Sequence, residues 1–291
     1  MGHDHSHNSN SKNILVAFSL NFVFSIIELI GGYLTNSVAI YSDALHDFGD
    51  SLALLFAYFA EKVSQKEPDS KYTFGYRRFS ILSALINGII LLIGSIFVLI
   101  EATKRIVNPE VVKPEGMLWL AILGIVVNAI AAYRMSKNEG LNPRMVMLHL
   151  LEDLFGWVAV LFVSIILMYK PWYFLDSALS ILISIIILRG VYKNLSKVIS
   201  IFLQKFPDEI NLEDLKEKLN HFELVKDIHA VKGLSLDGEN FYLRFHIQVP
   251  SGTPIDLLDK LSAQLKEILI SHNISSSTIE FEATHCEESH H

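Results

Sequence analysis

The stretch Val38-Ala-Ile-Tyr-Ser-Asp43-Ala-Leu-His46-Asp47-Phe-Gly-Asp50-Ser-Leu-Ala-Leu-Leu-Phe56 sets four ionisable groups inside an apolar run that continues to Val63. A helix needs about 20 residues to cross a bilayer core of about 30 Å, and this run is long enough. Five further runs accompany it: Ile14–Leu34, Phe79–Ile100, Met117–Met135, Val146–Tyr169 and Trp172–Tyr192. A soluble core helix is usually shorter and apolar along one stripe only. Six long runs therefore predict six transmembrane helices. The residues before Ile14 are polar and rich in histidine, unlike the basic start and apolar centre of a cleavable signal peptide.

Composition agrees with that reading. Of 291 residues, 51% are hydrophobic and 19% charged, where a soluble domain carries about 25% charged residues. The mean hydropathy is +0.37. This balance argues against disorder, a collagen-like chain and a nucleic-acid partner. A single cysteine, Cys286, leaves no internal disulfide framework and no four-cysteine metal site. The net charge of −7 hides a division. Residues 1–206 hold 17 basic and 15 acidic side chains, whereas residues 207–291 hold 7 and 16. The expected organisation is a His-containing tail over 1–13, a transmembrane domain over 14–206 and a water-facing domain over 207–291. With the N-terminus cytoplasmic, twelve basic residues fall on the inner side of the short loops and four on the outer. Basic inner loops favour both termini inside, in a plasma or inner membrane.

Within the second run, Asp43, His46 and Asp50 are spaced i, i+3 and i+7 and share one helix face. Asp47 points about 100° away from His46. The fifth run contains His149-Leu-Leu-Glu152-Asp153. His-x-x-x-Asp is thus written twice, on two membrane helices. A carboxylate at the centre of a membrane helix costs about 2.5–3.5 kcal/mol even on the milder insertion scale. A divalent cation removes that cost, because one helical turn presents two ligands to one ion and two turns supply two nitrogens and two oxygens, a set suited to Zn²⁺. The competing reading is hydrogen bonding between histidine and aspartate that only joins helices. Counted from the outer ends of the two runs, the pairs lie about 10 Å apart in depth. Tilt, or a fifth helix beginning before Val146, would absorb the difference. Glu28 either assists the site or pairs with a neighbour. Asn21, Asn87 and Asn128 read as interhelical hydrogen bonders, and Asp176 reads as a cap of the sixth helix.

With these residues the chain resembles the cation diffusion facilitator family, in its zinc-exporting branch. Tyr72-Thr-Phe-Gly75-Tyr76-Arg77, leading to Ala84-Leu-Ile-Asn87-Gly88, is similar to that family's entry into the third helix. The resemblance implies that His46, Asp50, His149 and Asp153 are transport-site ligands. It also implies a homodimer that exchanges a divalent cation for protons by alternating access, as a carrier and not an enzyme. The chemistry favours the same coupling, because metal ligands must lose protons to bind and histidine titrates close to neutral pH. Cargo other than Zn²⁺ (Cd²⁺, Co²⁺, Mn²⁺ or Fe²⁺) is the alternative, although two imidazoles disfavour hard Mn²⁺. An intramembrane zinc hydrolase is a remote second, since the chain holds no His-Glu-x-x-His.

The last third of the chain predicts a small ferredoxin-like α+β layer of order αββαβ: a helix over Asn211–Asn220, strands over Asp227–Leu236 and Asn240–Val249, a helix over Pro254–Ser271 and a strand over Thr278–Ala283. In the second strand Phe241, Leu243, Phe245, Ile247 and Val249 are expected inward, with Tyr242, Arg244, His246 and Gln248 outward. His229, His246, His285 and Cys286 fall near strands and are candidates for a regulatory Zn²⁺ site, which the family resemblance places at the histidines. No other cofactor is expected. Asp43, Asp69 in the loop between the second and third helices, and His3, His5 and His7 are auxiliary cation candidates. The expected partners are divalent cations, protons, membrane lipid and a second copy of the chain.

Overall fold

The computed structural model describes residues 6–136 and 141–284. Six long helices come first: α1 (Ser6–Thr35), α2 (Val38–Ser64), α3 (Arg78–Val107), α4 (Pro114–Ser136), α5 (Leu141–Tyr169) and α6 (Phe174–Phe202). They are followed by α7 (Leu212–Leu219), β1 (Asp227–Ser235), β2 (Phe241–Gln248), α8 (Ile255–Ser271) and β3 (Ile274–Glu282). Two compact units result, Met1–Ala60 with Ser83–Leu195 and Glu61–Leu82 with Ser196–His291. The loop between α2 and α3 thus belongs with the tail: the Phe74 ring meets the Tyr242 ring edge-on, and Arg77 reaches Asp237 at 3.7 Å.

Four helical segments among the described residues are long and apolar enough to cross a membrane: Arg78–Val107, Pro114–Tyr133, Leu150–Tyr169 and Phe174–Phe202. In α2, Asp43, Asp47 and Asp50 lower the hydropathy of an otherwise apolar helix. The burial pattern of the helical unit is the reverse of a soluble protein's. Phe97, Trp119, Phe155 and Phe162 face outward, while Ser42, Ser51, Ser164, Ser180 and Ser184 are enclosed. Large apolar side chains outside and hydroxyls inside suit a solvent of hydrocarbon.

The turn between α1 and α2 is made by Thr35-Asn36-Ser37. Asn36 takes the left-handed conformation at φ 55°, which asparagine tolerates better than most residues. Ser37 Oγ accepts from the Ile40 amide, starting α2. Asp176, expected to cap its own helix, instead crosses to α2. Its carboxylate accepts from Ser37 Oγ at 2.5 Å and from the Val38 amide at 2.7 Å. The orphan amides at the start of α2 lie within reach of this carboxylate in the fold, so the cap is tertiary. Asn128 Nδ2 donates within its own helix, to Gly124 O at 3.1 Å.

In the tail unit, Asn211 caps α7, and Leu215 and Leu219 turn inward. Leu261, Leu265 and Leu269 of α8 join Phe241, Leu243, Phe245 and Ile247 of β2 in one core. The sheet order is β1-β2-β3, with β1 antiparallel and β3 parallel to β2. Strand β3 starts at Ile274, four residues ahead of the expected Thr278, because the parallel partner Phe241 pairs with Ile274.

Candidate metal transport site

Helix α2 carries two interleaved pairs of ionisable side chains, Asp43 with Asp47 and His46 with Asp50. Residues four apart share a face, so each pair is one turn. His46 Nε2 stands 3.7 Å from Asp50 Oδ2, and both side chains are about a fifth exposed, at 21% and 24%. His46 also lines a narrow gap with Leu91, Gly94, Ser95 and Val98 of α3. The other pair is more enclosed, with Asp43 at 6% and Asp47 at 4%. Asp43 and Asp47 both lie near Glu28 of α1. A helix surrounded by neighbours buries its off-face residues too, which periodicity alone does not reveal.

Three reversals of direction separate α2 from α5, so the two helices run antiparallel. They come close at Gly156: a β-carbon there would stand 3.8 Å from Asp43 Oδ1. That contact fixes their register. Three residues further along α2 lies His46, and three residues back along α5 lies Asp153. Seven residues further lies Asp50, level with the α5 position of His149. Residues seven apart lie within about 20° of the same helix face, so Asp50 and position 149 belong to the faces that meet at Asp43 and Gly156. Helix α5 begins before Val146, the arrangement expected to absorb the difference of about 10 Å in depth counted from the run ends. The ends of apolar runs are a poor ruler, because α5 begins at Leu141, before Val146. Asp153 is half-buried and acts electrostatically on Glu28, together with Asp43 and Asp47. Glu152 is exposed. The side chain of His149 lies outside the described residues, as do His3, His5, His7, His285 and Cys286.

The tail carries a second cluster. His229 and His246 face one another across β1 and β2, their ring centroids 5.6 Å apart. A β-bulge follows His229, with Ala230 at φ 50°. The parallel pairing of β3 brings Glu280 opposite His246 and Glu282 beside both rings. Glu282 lies 2.6 Å from His246 Nδ1 and 3.3 Å from His229 Nε2. One ligand atom from each of His229, His246 and Glu282 falls within 4.8 Å of the others, a spread one metal ion can span. His246 was expected to face water, yet it is only 2% exposed. Glu280, Glu282 and His229 close over it. Glu282 was missed in the sequence because strand order is not written in a strand's own alternation; the signal was the pair Glu280-Phe-Glu282 in a strand rich in β-formers.

Asp69, the auxiliary candidate in the loop, is engaged locally. Its carboxylate accepts from the amides of Lys71 and Tyr72 and from the Tyr76 hydroxyl at 2.6 Å. These donors, the Tyr76 hydroxyl first, hold its carboxyl below the usual carboxylate range.

Residues 14–203 match the family model of the cation efflux transmembrane domain. The chain belongs to this family. Cation efflux relatives match along almost its whole length. A cadmium, cobalt and zinc/H(+)-K(+) antiporter of Bacillus subtilis is 33% identical over 97% of this chain and 92% of its own. A zinc transporter ZitB of Yersinia pestis is 36% identical over 97% of this chain and 90% of its own. A metal cation efflux system protein CzcD of Cupriavidus metallidurans is 31% identical over 99% of this chain and 92% of its own. Family membership and the four apolar helices make this chain an integral membrane protein.

Proposed function

We propose that this chain is a secondary active transporter that exports divalent cations, Zn²⁺ foremost, from the cytoplasm in exchange for protons. The observation that supports the reading is the approach of Asp43 on α2 to Gly156 on α5, which favours a common level for the two His-x-x-x-Asp turns. His46, Asp50, His149 and Asp153 then form the transport site, two nitrogens and two carboxylates cancelling the charge of one divalent ion. All six long helices span the membrane, with both termini cytoplasmic. Loss of protons from the histidines on the cytoplasmic side admits the ion. Protonation on the far side expels it and returns the carrier. The relatives' activities, zinc transport and cation/H⁺ antiport, support a carrier and not a hydrolase. Cd²⁺ and Co²⁺, both named for the Bacillus relative, are the second cargo reading.

The tail domain forms a ferredoxin-like layer that holds a regulatory Zn²⁺ at His229, His246 and Glu282, completed by His285 or Cys286, and that pairs two copies of the chain. A core of this size is marginal alone, which favours pairing.

Proteoliposomes with an acidic lumen test the whole reading. Zn²⁺ uptake coupled to proton efflux is expected, falling at least tenfold in Asp50→Ala and His149→Ala. Uptake of no divalent metal by the native chain, or unchanged uptake in both variants, would overturn it.

A further inference from the structure

The segment from Lys71 to Arg78, whose motif the transport mechanism leaves without a role, sets two arginines side by side at the entry to α3. Arg77 reaches Asp237 at 3.7 Å and lines one cavity together with Glu239. Arg78 lines a different cavity of about 390 Å³, with Lys71, Phe74, Phe79, Gln204 and Leu234 around it. All of these residues belong to the unit formed by Glu61–Leu82 and Ser196–His291. No carboxylate lines this second cavity, and neither Lys71 nor Arg78 has an ion-pair partner among the described residues. Arg78 is also the first residue of α3. The helix dipole favours an anion at that end, so helix stability does not account for a cation there. Two uncompensated cations on a space of ligand size, walled otherwise by apolar side chains, suit an anion.

Position narrows which anion. Both α3 and α6 are long and apolar enough to cross a membrane. Arg78 opens the first, and Gln204 lies two residues beyond Phe202, the end of the second. The cavity therefore stands where two membrane-crossing helices reach the headgroup layer. Phe74 and Tyr72 are 64% and 47% exposed, and aromatic rings concentrate at that layer. The tail as a whole is acidic, so it does not draw in soluble anions, whereas a membrane lipid is already held at the surface.

We propose that Lys71 and Arg78 form a binding site for the phosphate of an anionic phospholipid headgroup, with Phe74 and Phe79 walling its apolar side. The site rests on the chain being an integral membrane protein and not on which ion is carried. A lipid bound there tethers the loop between α2 and α3 to the membrane surface.

The test titrates the full chain in detergent with phosphatidylglycerol or phosphatidylcholine and counts bound lipid by native mass spectrometry. The native chain is expected to take phosphatidylglycerol in preference to phosphatidylcholine. Lys71→Gln and Arg78→Gln should each weaken that binding about fivefold, the usual contribution of one basic residue at an anionic surface. Lys71 is exposed on the loop, so Lys71→Gln carries the test should Arg78→Gln fail to fold. Lys193→Gln, which removes an exposed cation of α6 outside the cavity, should keep the native affinity. Glycerol phosphate at the lipid's own concentration should not displace it. No metal enters the measurement, so its failure and a failure of the transport reading are distinct. Equal binding of the two lipids, or native affinity in both cavity variants, would overturn the proposal. So would a loss in Lys193→Gln as large as in Lys71→Gln, or displacement by glycerol phosphate, which would assign the cavity to a soluble phosphate.

Discussion

Asp43 Oδ1 on α2 stands 3.8 Å from the point a β-carbon on Gly156 of α5 would occupy. The distance is an ordinary van der Waals contact, so alanine fits without displacement, whereas a branched chain does not. Gly156→Ala is expected to transport Zn²⁺ within about twofold of the native rate. Gly156→Leu must wedge the helices apart, and misplacing ligands by about 1 Å can cost about a hundredfold. Rates measured in proteoliposomes decide this. Equal rates for alanine and leucine would show that the contact does not hold the site.

Gly124 of α4 carries a different load. A β-carbon there would enter the indole ring of Trp157, one of the fully buried side chains of the helical unit. The ring is rigid and packed on Ala121, Val160 and their neighbours, so it has little room to yield. Gly124→Ala is expected to destabilise the protein by about 1–3 kcal/mol, as overpacking does. The thermal midpoint in detergent should fall, and Trp157→Leu added to Gly124→Ala should restore part of it.

The tail cluster is expected to give a metal-dependent stability. An ion that binds only the folded domain, present at about 100 times its Kd, contributes about 2.7 kcal/mol. Amide exchange of β1 and β2 should slow when Zn²⁺ is added and return to its starting rate with a chelator. His246→Ala should abolish the response, because the imidazole is enclosed by Glu280, Glu282 and His229. Exchange that ignores Zn²⁺ in the native chain would remove the tail site.

Asp69 predicts a pH dependence with a definite sign. Its carboxyl is held below its ordinary range by the Tyr76 hydroxyl, then by the Tyr72 and Lys71 amides. A depressed folded value means the stabilising contribution is fully present above the unfolded carboxylate value and is lost as pH falls through the folded one. Order in the loop from Lys66 to Tyr76 should therefore be constant near neutrality and weaken only in acid below the ordinary carboxylate range. Asp69→Ala should loosen the loop in hydrogen exchange at neutral pH without lowering the number of Zn²⁺ ions bound. A lost equivalent of Zn²⁺ would show that the carboxylate serves metal rather than the turn.

Much of the chain was legible before any coordinates. The pairing of His46 with Asp50 follows from one helical turn, and α7, α8 and β2 stand within one or two residues of their expected bounds. The errors share a cause. Asp176 was assigned to its own helix but caps α2, and His246 was assigned to water but lies under Glu280 and Glu282. In each case the deciding partner is on another element, distant in the chain.

The sequence by itself determined the apolar runs, the break at the tail and the spacing of two His-x-x-x-Asp turns. These depend on composition and on the 3.6-residue period, which every helix carries regardless of its neighbours. Only the tertiary structure decided that α2 and α5 meet at Asp43 and Gly156, that Asp43 and Asp47 lie near Glu28 of α1, and that β3 lies parallel to β2 with Glu282 against two histidines. Register between elements is set by contacts at a few close approaches, and no local period encodes where those approaches fall.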